Sequence, residues 1–268
     1  MHVVELHHVP LGVVGGITPW NFPVLLALWK VAPALITGNT FVLKPTPYTP
    51  LTALRFGQIA QSVLPAGVLS VLSGGDQLGP QMTNHPDVAK ISFTGSTETG
   101  KHVLRSAAGT VKRVTLELGG NDAAIVLPDA DYKAIIPQLF WGAFGNQGQW
   151  CVGIKRLYIH RSFHADFVAA FVDYAKTVKV GDGLDPEVGL GPVQNKMQFD
   201  KLKTFLDDIK ANGQKIAFGG DIDETQSGYF FPITVVDNPP ENSKIVQEEQ
   251  FGPIIPIIVY DDIDDAVN

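Results

Sequence analysis

The strongest constraint on the fold is an alternation in the first 120 residues, where short apolar runs rich in β-branched residues are separated by stretches of helical spacing. This pattern predicts strands over 11–18, 40–46, 68–75, 89–96 and 112–120. It predicts helices between them over 22–36, 49–64, 77–83 and 97–108. Because parallel strands need a crossover connection, five strands joined by helices indicate an α/β fold with a doubly wound parallel sheet.

A second α/β domain is predicted to begin near residue 120, where the alternation becomes less regular. The sequence indicates helices over 131–149, 163–178 and 197–212, and strands at AAIVLP, RLYIHR, KIAFGG, FFPITVVDN and GPIIPIIVY. At the two ends, MHVVELHHVP predicts one isolated strand that would place His7 and His8 on opposite faces, and YDDIDDAVN reads as the first turn of a helix.

Composition excludes several classes of protein. With 45% hydrophobic and 18% charged residues, the 268-residue chain is expected to be globular rather than disordered. The net charge of -7 and the absence of a basic run argue against nucleic acid or an anionic membrane as a partner. In the most apolar region, 13–38, the uninterrupted apolar run from Phe22 to Trp29 is too short to span a bilayer, and the beginning of the chain has no signal-peptide pattern.

Two residue types bear on location and metal binding. A single cysteine cannot form an internal disulfide, so we predict a cytoplasmic location. The seven histidines show no metal-ligand spacing beside cysteines or carboxylates, so we predict no metal site.

The segment FGNQGQWC (144–151) ends on that cysteine, Cys151. A polar, glycine-rich surrounding is unlike a core segment and would leave the sulfur accessible, which favours a nucleophile. The alternative is a small, inert core residue, the usual role of an isolated cysteine.

Two further residues have the chemistry to assist a nucleophile. Glu117, in TLELGG, lies between leucines near a predicted strand end, where an apolar environment would raise its pKa and make it a general base. Asn21, in ITPWNFP, lies between two prolines, and its amide is placed to donate to an oxyanion. The alternatives are a solvent-facing Glu117 and an Asn21 that only shapes a turn.

Two segments suggest a nucleotide site. FTGS (93–96) precedes a predicted helix, and a Gly95–Ser96 turn before a helix N-terminus favours an anion such as a pyrophosphate. Lys44, at the end of the second strand, would contact a ribose or phosphate or else be solvated. The conventional GxGxxG fingerprint is absent from the sequence. In a doubly wound sheet the strand ends form one crevice, so we expect these residues to lie at the same edge.

The ordered set PWNFP, LKP, FTGST, LELGG, FGNQGQWC and EEQFGP, from Leu11 to Pro253, closely resembles the aldehyde dehydrogenase superfamily. The resemblance implies a doubly wound cofactor domain over 1–119, without its N-terminal flank, and a catalytic α/β domain over 120–268, without its C-terminal part. It also implies that the chain is the central portion of a longer member.

The resemblance also implies a role for each matched residue. Cys151 would be the nucleophile, Glu117 the general base, and Asn21 the oxyanion donor together with the Cys151 N–H. The implied cofactor ligands are Lys44, Gly95, Ser96, Trp20, Glu249 and Phe251. The implied substrate pocket is apolar and consists of Phe22, Leu26, Trp29, Trp150 and Val152.

The expected activity is the oxidation of an apolar or aromatic aldehyde to its acid with NAD or NADP. Many NAD-preferring members carry a glutamate where this chain has Pro47. The sequence therefore leaves the choice between NAD and NADP open, and NAD is favoured only because it is the usual cofactor of the family. A homo-oligomer is expected for the full-length form. The alternatives are a truncated fragment that binds only nucleotide or a partner chain, and a thiol esterase on the same scaffold.

Overall fold

The first part of the chain folds around a parallel sheet, as predicted. In the computed structural model, which describes residues 2–267, the chain divides into two compact units between Gly119 and Gly120. We call the part before this division the first unit and the part after it the second unit.

The sheet of the first unit has five parallel strands in the order β3-β2-β1-β4-β5. The strands are β1 (Val13–Ile17), β2 (Thr40–Lys44), β3 (Leu69–Val71), β4 (Val88–Thr94) and β5 (Arg113–Glu117). The helices between them are α1 (Pro23–Ile36), α2 (Leu51–Ala60), α3 (Leu78–Asn84) and α4 (Thr97–Ala108). The strand order reverses between β1 and β4, which is where ligands bind in sheets of this kind.

The central strand of this sheet needs small residues. A side chain at Gly15 would lie 2.9 Å from Ile91 and 3.1 Å from Met82, and one at Gly16 would overlap the ring of Phe41. The glycines therefore let neighbouring apolar side chains fill both faces of β1, and Phe41 and Ile91 are buried there.

The second unit has a mixed sheet in the order β6-β7-β10-β9-β8, in which only the β8–β9 pair is antiparallel. The strands are β6 (Ala123–Val126), β7 (Arg156–His160), β8 (Lys215–Phe218), β9 (Thr234–Asp237) and β10 (Ile254–Tyr260). The helices are α5 (Tyr132–Phe144), α6 (His164–Lys176), α7 (Lys196–Ala211), α8 (Lys244–Gln247) and α9 (Ile263–Val267).

Aromatic rings dominate one core of the second unit. Phe140 on α5 is fully buried, with ring centroids 4.8 Å from Phe144 and 5.9 Å from Phe171. Phe171 in turn stacks on Phe167, its neighbour on α6, at 5.8 Å. This cluster packs α5 against α6 and so supports the segment that follows α5.

Two predicted elements differ from the structure. Residues 2–10, predicted as a strand that separates His7 from His8, form no regular element, because a single extended segment without a hydrogen-bonding neighbour gains nothing from the strand conformation. The helix predicted over 131–149 ends at Phe144 and is followed by a short 3-10 turn, Gly145–Gly148. The helix cannot continue because Asn146 and Gln147 have positive φ, outside the right-handed helical region.

Candidate functional site

In the first unit, the candidates Lys44 and Glu117, together with Thr94, are the last residues of strands in one parallel sheet. Lys44 ends β2, Thr94 ends β4 and Glu117 ends β5. The register pairs Thr94 with Glu117, and Lys44 with Ile17 at the end of β1. The strand order therefore brings these residues to one edge of the sheet, as the sequence predicts for this fold.

Lys44 is a buried lysine at this edge. Its side chain lines two cavities in the first unit, of about 600 Å³ and about 460 Å³. Burial lowers the pKa of Lys44, and the Asp76 carboxylate partly opposes that shift. The cavities have the size of ordinary small-molecule sites, so a buried ammonium here suits an anionic or hydroxyl-rich ligand.

Gly95 and Ser96 form hydrogen bonds within the first unit that stabilise the turn and the start of α4. Gly95 donates its N–H to the Glu117 carbonyl at 3.0 Å, and its missing side chain leaves room for the Phe93 ring. The Ser96 hydroxyl accepts from the Thr99 N–H at 3.2 Å and so caps α4. These contacts account for both residues within the fold, and their contact with a phosphate stays a prediction.

Glu117 differs from the expectation. The side chain is exposed at the end of β5, so the apolar surrounding that the flanking leucines suggested is not found among the described residues. The reason is geometric: Leu116 and Leu118 point to the opposite face from Glu117 in an extended chain.

The segment before α1 carries Trp20, Asn21 and Phe22, all half-buried. It follows β1 directly and ends where Pro23 begins the helix. The predicted oxyanion donor Asn21 therefore lies on a short connection that leaves the carboxyl end of the central strand, with proline at the first position of the helix.

The substrate-pocket candidates have very different exposures. Leu26 is buried, whereas Trp29 is 65% exposed and Val152 is 75% exposed. Trp150 is half-buried. Leu26 and Trp29 are three residues apart on α1 and so share one face of the helix.

Sequence reasoning missed a buried pair in the first unit. The Lys30 ammonium on α1 donates to the Thr94 hydroxyl at 2.7 Å, and Lys30 is only 7% exposed. Burial lowers the pKa of Lys30, while the Glu117 carboxylate raises it. A charged residue within the apolar pattern of α1 was the signal that could have identified this pair.

In the second unit, Cys151 lies just beyond the 3-10 turn, half-buried. The turn contains three successive residues with positive φ, namely Asn146 at 50°, Gln147 at 60° and Gly148 at 66°. Side chains hold this unusual backbone, since Gln147 donates to the Gly191 carbonyl and Gln149 accepts from the Gln194 N–H at 3.0 Å. The segment is therefore an ordered turn whose backbone conformation is fixed by side-chain hydrogen bonds.

Glu249 lies half-buried in the same unit. Its carboxylate accepts from the Gly120 N–H at 3.2 Å and lies 3.9 Å from the Lys155 ammonium. Burial raises the pKa of Glu249, while the Gly120 N–H, Lys155 and Lys201 lower it. Two residues further on, Phe251 has a φ of 54°, so this segment also departs from regular backbone.

Sequence reasoning also missed two buried polar residues of the second unit, Lys155 and Gln250. The Gln250 amide donates to the carbonyls of Lys155, at 3.1 Å, and Ile254, at 2.7 Å. It thereby joins the strand that follows Cys151 to the segment that carries Glu249. No local pattern in the sequence shows that these distant segments meet.

Residues 2–267 contain neither a candidate metal centre nor a helix that could span a membrane. No group of three or more histidine, cysteine, aspartate or glutamate side chains is arranged to hold a metal ion. Over the same residues, none of the helices has the length and apolar character needed to cross a membrane.

The chain matches known proteins over its whole length. The model of the "Aldehyde dehydrogenase family" matches residues 1–268. "Putative aldehyde dehydrogenase FUS7" of Gibberella fujikuroi is 46% identical over 261 residues, which cover 97% of this chain and 55% of that protein. "Retinaldehyde dehydrogenase 3" of Homo sapiens is 43% identical over 263 residues, covering 97% and 51%.

Solved structures share the fold. Aldehyde dehydrogenase C of Pseudomonas syringae, a mutant in complex with NAD+ and octanal, superposes with a TM-score of 0.93 at 39% identity, covering 97% of this chain and 54% of that one. An NADP-dependent enzyme of E. coli gives a TM-score of 0.93 at 37% identity, covering 97% and 54%.

The chain spans about half the length of the curated relatives it matches. It corresponds to a central portion of those proteins, as the resemblance predicted. The predicted fold is confirmed by the parallel sheet of the first unit, the mixed sheet of the second and the superposition on solved enzymes. With the family model matching end to end, this chain belongs to the aldehyde dehydrogenase family.

Proposed function

We propose that this chain forms the cofactor-binding and catalytic portion of an enzyme that oxidises an aldehyde to a carboxylic acid with NAD or NADP. Residues 1–119 would bind the cofactor and residues 120–268 would supply the nucleophile. The observation that carries the proposal is the turn that presents Cys151: the only cysteine of the chain follows a strained backbone held by buried glutamine side chains.

The residues of the first unit suit a nucleotide. Lys44 is buried beside cavities of suitable size, at the strand ends where such ligands bind in this fold. We infer that Lys44, Gly95, Ser96 and Trp20 hold the nucleotide. Glu249 and Phe251 of the second unit are proposed to contact the nicotinamide ribose and ring. When bound, the nicotinamide accepts the hydride that leaves the aldehyde carbon.

Cys151 performs the covalent step in this proposal. Its thiolate attacks the carbonyl carbon, a carbon–sulfur bond forms, and the π electrons move to the oxygen. Asn21 and the Cys151 N–H donate to that oxyanion. When the oxyanion re-forms its carbonyl, the carbon loses a hydride and the substrate becomes a thioester on Cys151.

Glu117 acts in the second half of the reaction. It removes a proton from water, whose oxygen attacks the thioester carbonyl carbon. The carbon–sulfur bond then breaks, the sulfur leaves as the thiolate of Cys151, and the carboxylic acid departs.

The substrate we propose is an apolar or aromatic aldehyde. Phe22, Leu26 and Trp29 recur at the spacing that places them along one face of the α1 segment, and all three are apolar. Trp150 and Val152 flank Cys151 with further apolar surface.

The choice between NAD and NADP depends on the adenosine end of the site. The residue at position 47 is an exposed proline and so has no carboxylate to repel a 2′-phosphate. Asp76, however, lines the same cavity as Lys44 and supplies a negative charge there. We therefore propose NAD as the preferred cofactor, with Asp76 as the group that would disfavour the extra phosphate.

Two properties of the whole protein stay predictions. The homo-oligomer that the resemblance implies and a cytoplasmic location both extend beyond this chain. Apart from the nicotinamide cofactor, the proposed chemistry requires a small-molecule aldehyde as its partner.

The test is a set of kinetic measurements with aliphatic and aromatic aldehydes and each cofactor. We expect Cys151→Ala to lower kcat by at least about a thousandfold, because no thioester can form. We expect Glu117→Gln to give a burst of about one equivalent of reduced cofactor followed by slow turnover, since only thioester hydrolysis needs the base.

Lys101→Met, a change on the exposed face of α4, is the control and should keep wild-type rates. Reduction that survives Cys151→Ala would refute the covalent mechanism. Cysteine-dependent hydrolysis of an activated ester, without nicotinamide binding, would favour the thiol esterase instead. Nucleotide binding without either activity would favour a binding-only fragment.

A further inference from the structure

Lys155 is a buried charge to which the proposed function assigns no role. It is 1% exposed, and lysine is rarely buried unless its ammonium is paired. The ammonium donates to the carbonyl oxygens of Trp150 and, at 3.1 Å, Gly153. These two carbonyls lie on either side of Cys151 along the chain, so the side chain closes the turn that carries the cysteine.

The backbone of Lys155 is itself held firmly. Its N–H donates to the Asp122 carbonyl at 2.9 Å, and its carbonyl accepts from the Gln250 amide at 3.1 Å. Strand β7 begins at the next residue, Arg156. The sheet therefore fixes the origin of the side chain, and the position of the ammonium relative to Cys151 follows from it.

The same ammonium faces the segment that carries Glu249. Its nitrogen lies 3.9 Å from the Glu249 carboxylate and 5.8 Å from the centre of the Phe251 ring. Burial lowers the pKa of Lys155, while the nearby Glu249, Asp122 and Cys151 raise it. Lys201, whose ammonium donates to the Glu249 carbonyl at 2.8 Å, is the other cation nearby and also lowers the pKa of Lys155.

We propose that Lys155 is a positioning residue that joins the Cys151 turn to the Glu249 segment and sets the reactivity of the thiol. This inference rests on the proposed roles of Cys151 and Glu249. Two of the ammonium's three donors hold the carbonyls of the turn, and its positive charge stabilises a negative sulfur more than a neutral one. Removing the charge should therefore slow reactions of the thiolate and remove the ion pair with Glu249.

The test measures alkylation of Cys151 by iodoacetamide between pH 6 and 10 in the absence of cofactor. Because Cys151 is the only cysteine, the label reports a single site. Lys155→Met should alkylate about tenfold more slowly at pH 7 and reach its plateau rate at a higher pH. Lys155→Arg, which keeps the charge, should return the pH profile toward that of the wild type.

Lys210→Met is the matched control, because it removes one lysine from an exposed pair with Asp221. It should leave both the rate and the pH profile unchanged. If Lys155→Met does not fold, as judged by circular dichroism, Lys155→Gln removes the same charge and keeps an amide NH2 group that can donate to the carbonyls. The inference is wrong if a folded neutral variant alkylates with the wild-type pH profile.

Steady-state kinetics separate this inference from the proposed function. We expect Lys155→Met to raise the KM for the cofactor as well as lower kcat, whereas a partly unfolded sample would lower only the apparent kcat. Loss of activity in Cys151→Ala with an unaffected Lys155→Met would refute the positioning role alone. Activity that survives Cys151→Ala would refute the proposed function, and the alkylation profiles would still measure the influence of Lys155 on the thiol.

Discussion

The two units place their candidate residues by different means. In the first unit, Lys44 and Glu117 each end a strand of the same parallel sheet, so main-chain pairing alone brings them to one edge. In the second unit, Cys151 and Glu249 lie outside the strands, and buried side chains such as Lys155 and Gln250 connect their segments. Topology therefore positions the candidate residues of the first unit, whereas side-chain packing positions those of the second.

The two units should respond differently to substitutions. Where main-chain pairing aligns the residues, the loss of one side chain should leave the rest in place. Where buried side chains hold a strained turn, the loss of one contact should displace the reactive group.

The largest effect is expected in the aromatic core of the second unit. Phe140→Ala should lower the free energy of unfolding by about 3–5 kcal/mol, because it removes a fully buried ring and leaves a cavity. It should also change the alkylation rate of Cys151, since α5 leads directly into the turn. Chemical denaturation and iodoacetamide labelling are the measurements.

Phe41→Ala is the matched change in the first unit, where Phe41 is 1% exposed. It should cost a similar amount of stability without changing the alkylation rate in folded protein. Hydrogen exchange followed by mass spectrometry should show lost protection mainly in the unit that carries each substitution. If both variants changed Cys151 labelling equally, the proposed dependence of the Cys151 turn on packing within the second unit would be wrong.

A smaller but more local effect is expected at Gly148. An alanine there would adopt a φ of 66° and would overlap the Gly252 carbonyl group. We expect a loss of about 1–3 kcal/mol in the free energy of unfolding, because left-handed backbone disfavours a side chain. The rate of aldehyde oxidation by the folded variant should also fall, since Cys151 is three residues away.

Gly183→Ala is the control, because Gly183 has nothing within 4 Å of an added side chain. It should leave both the unfolding midpoint and the activity unchanged. If Gly148→Ala behaves in the same way as Gly183→Ala, the turn is not rigidly held and the proposed basis of the second unit's geometry is wrong.

A third comparison concerns two helix caps, one in each unit. Ser96 accepts from the Thr99 N–H at 3.2 Å at the start of α4, and Asn195 accepts from the Gln198 N–H at 2.9 Å at the start of α7. Replacing either with alanine should cost about 1 kcal/mol of unfolding free energy. Only Ser96→Ala should raise the KM for the cofactor, because only α4 is proposed to face it. An equal KM in both variants would leave Ser96 with a capping role alone.

The smallest effect is a change in how stability depends on pH. Burial lowers the pKa of Lys30 below 10.5, so between its folded pKa and 10.5 the unfolded chain binds a proton that the folded chain has lost. Stability should therefore rise with pH in that window. Lys30→Met should flatten this rise in thermal melts recorded from neutral pH to pH 10. Lys101→Met, on the exposed face of α4, should keep the wild-type slope, and an unchanged slope in Lys30→Met would refute the assignment.

Much of the first unit was predictable because its signals are local. The helix predicted over 97–108 occurs as Thr97–Ala108, with Ser96 as its cap. The strand ends at Lys44 and Glu117 were expected at one edge, since a doubly wound sheet leaves few alternatives. The exposure of Glu117 was not predicted, because flanking leucines do not show which face a strand residue occupies.

In the second unit, sequence patterns were enough to predict most of the helices and strands and the polar, glycine-rich composition of the segment before Cys151. Only the tertiary structure decided that Lys155 bridges the carbonyls around Cys151, and that Gln250 joins this segment to the one that carries Glu249. Periodicity and capping act over a few residues, whereas the contact of Gln250 with Lys155 joins positions 95 residues apart in the chain. The Lys155 contacts are close in sequence, but they depend on burial of the ammonium, which only the packed fold determines.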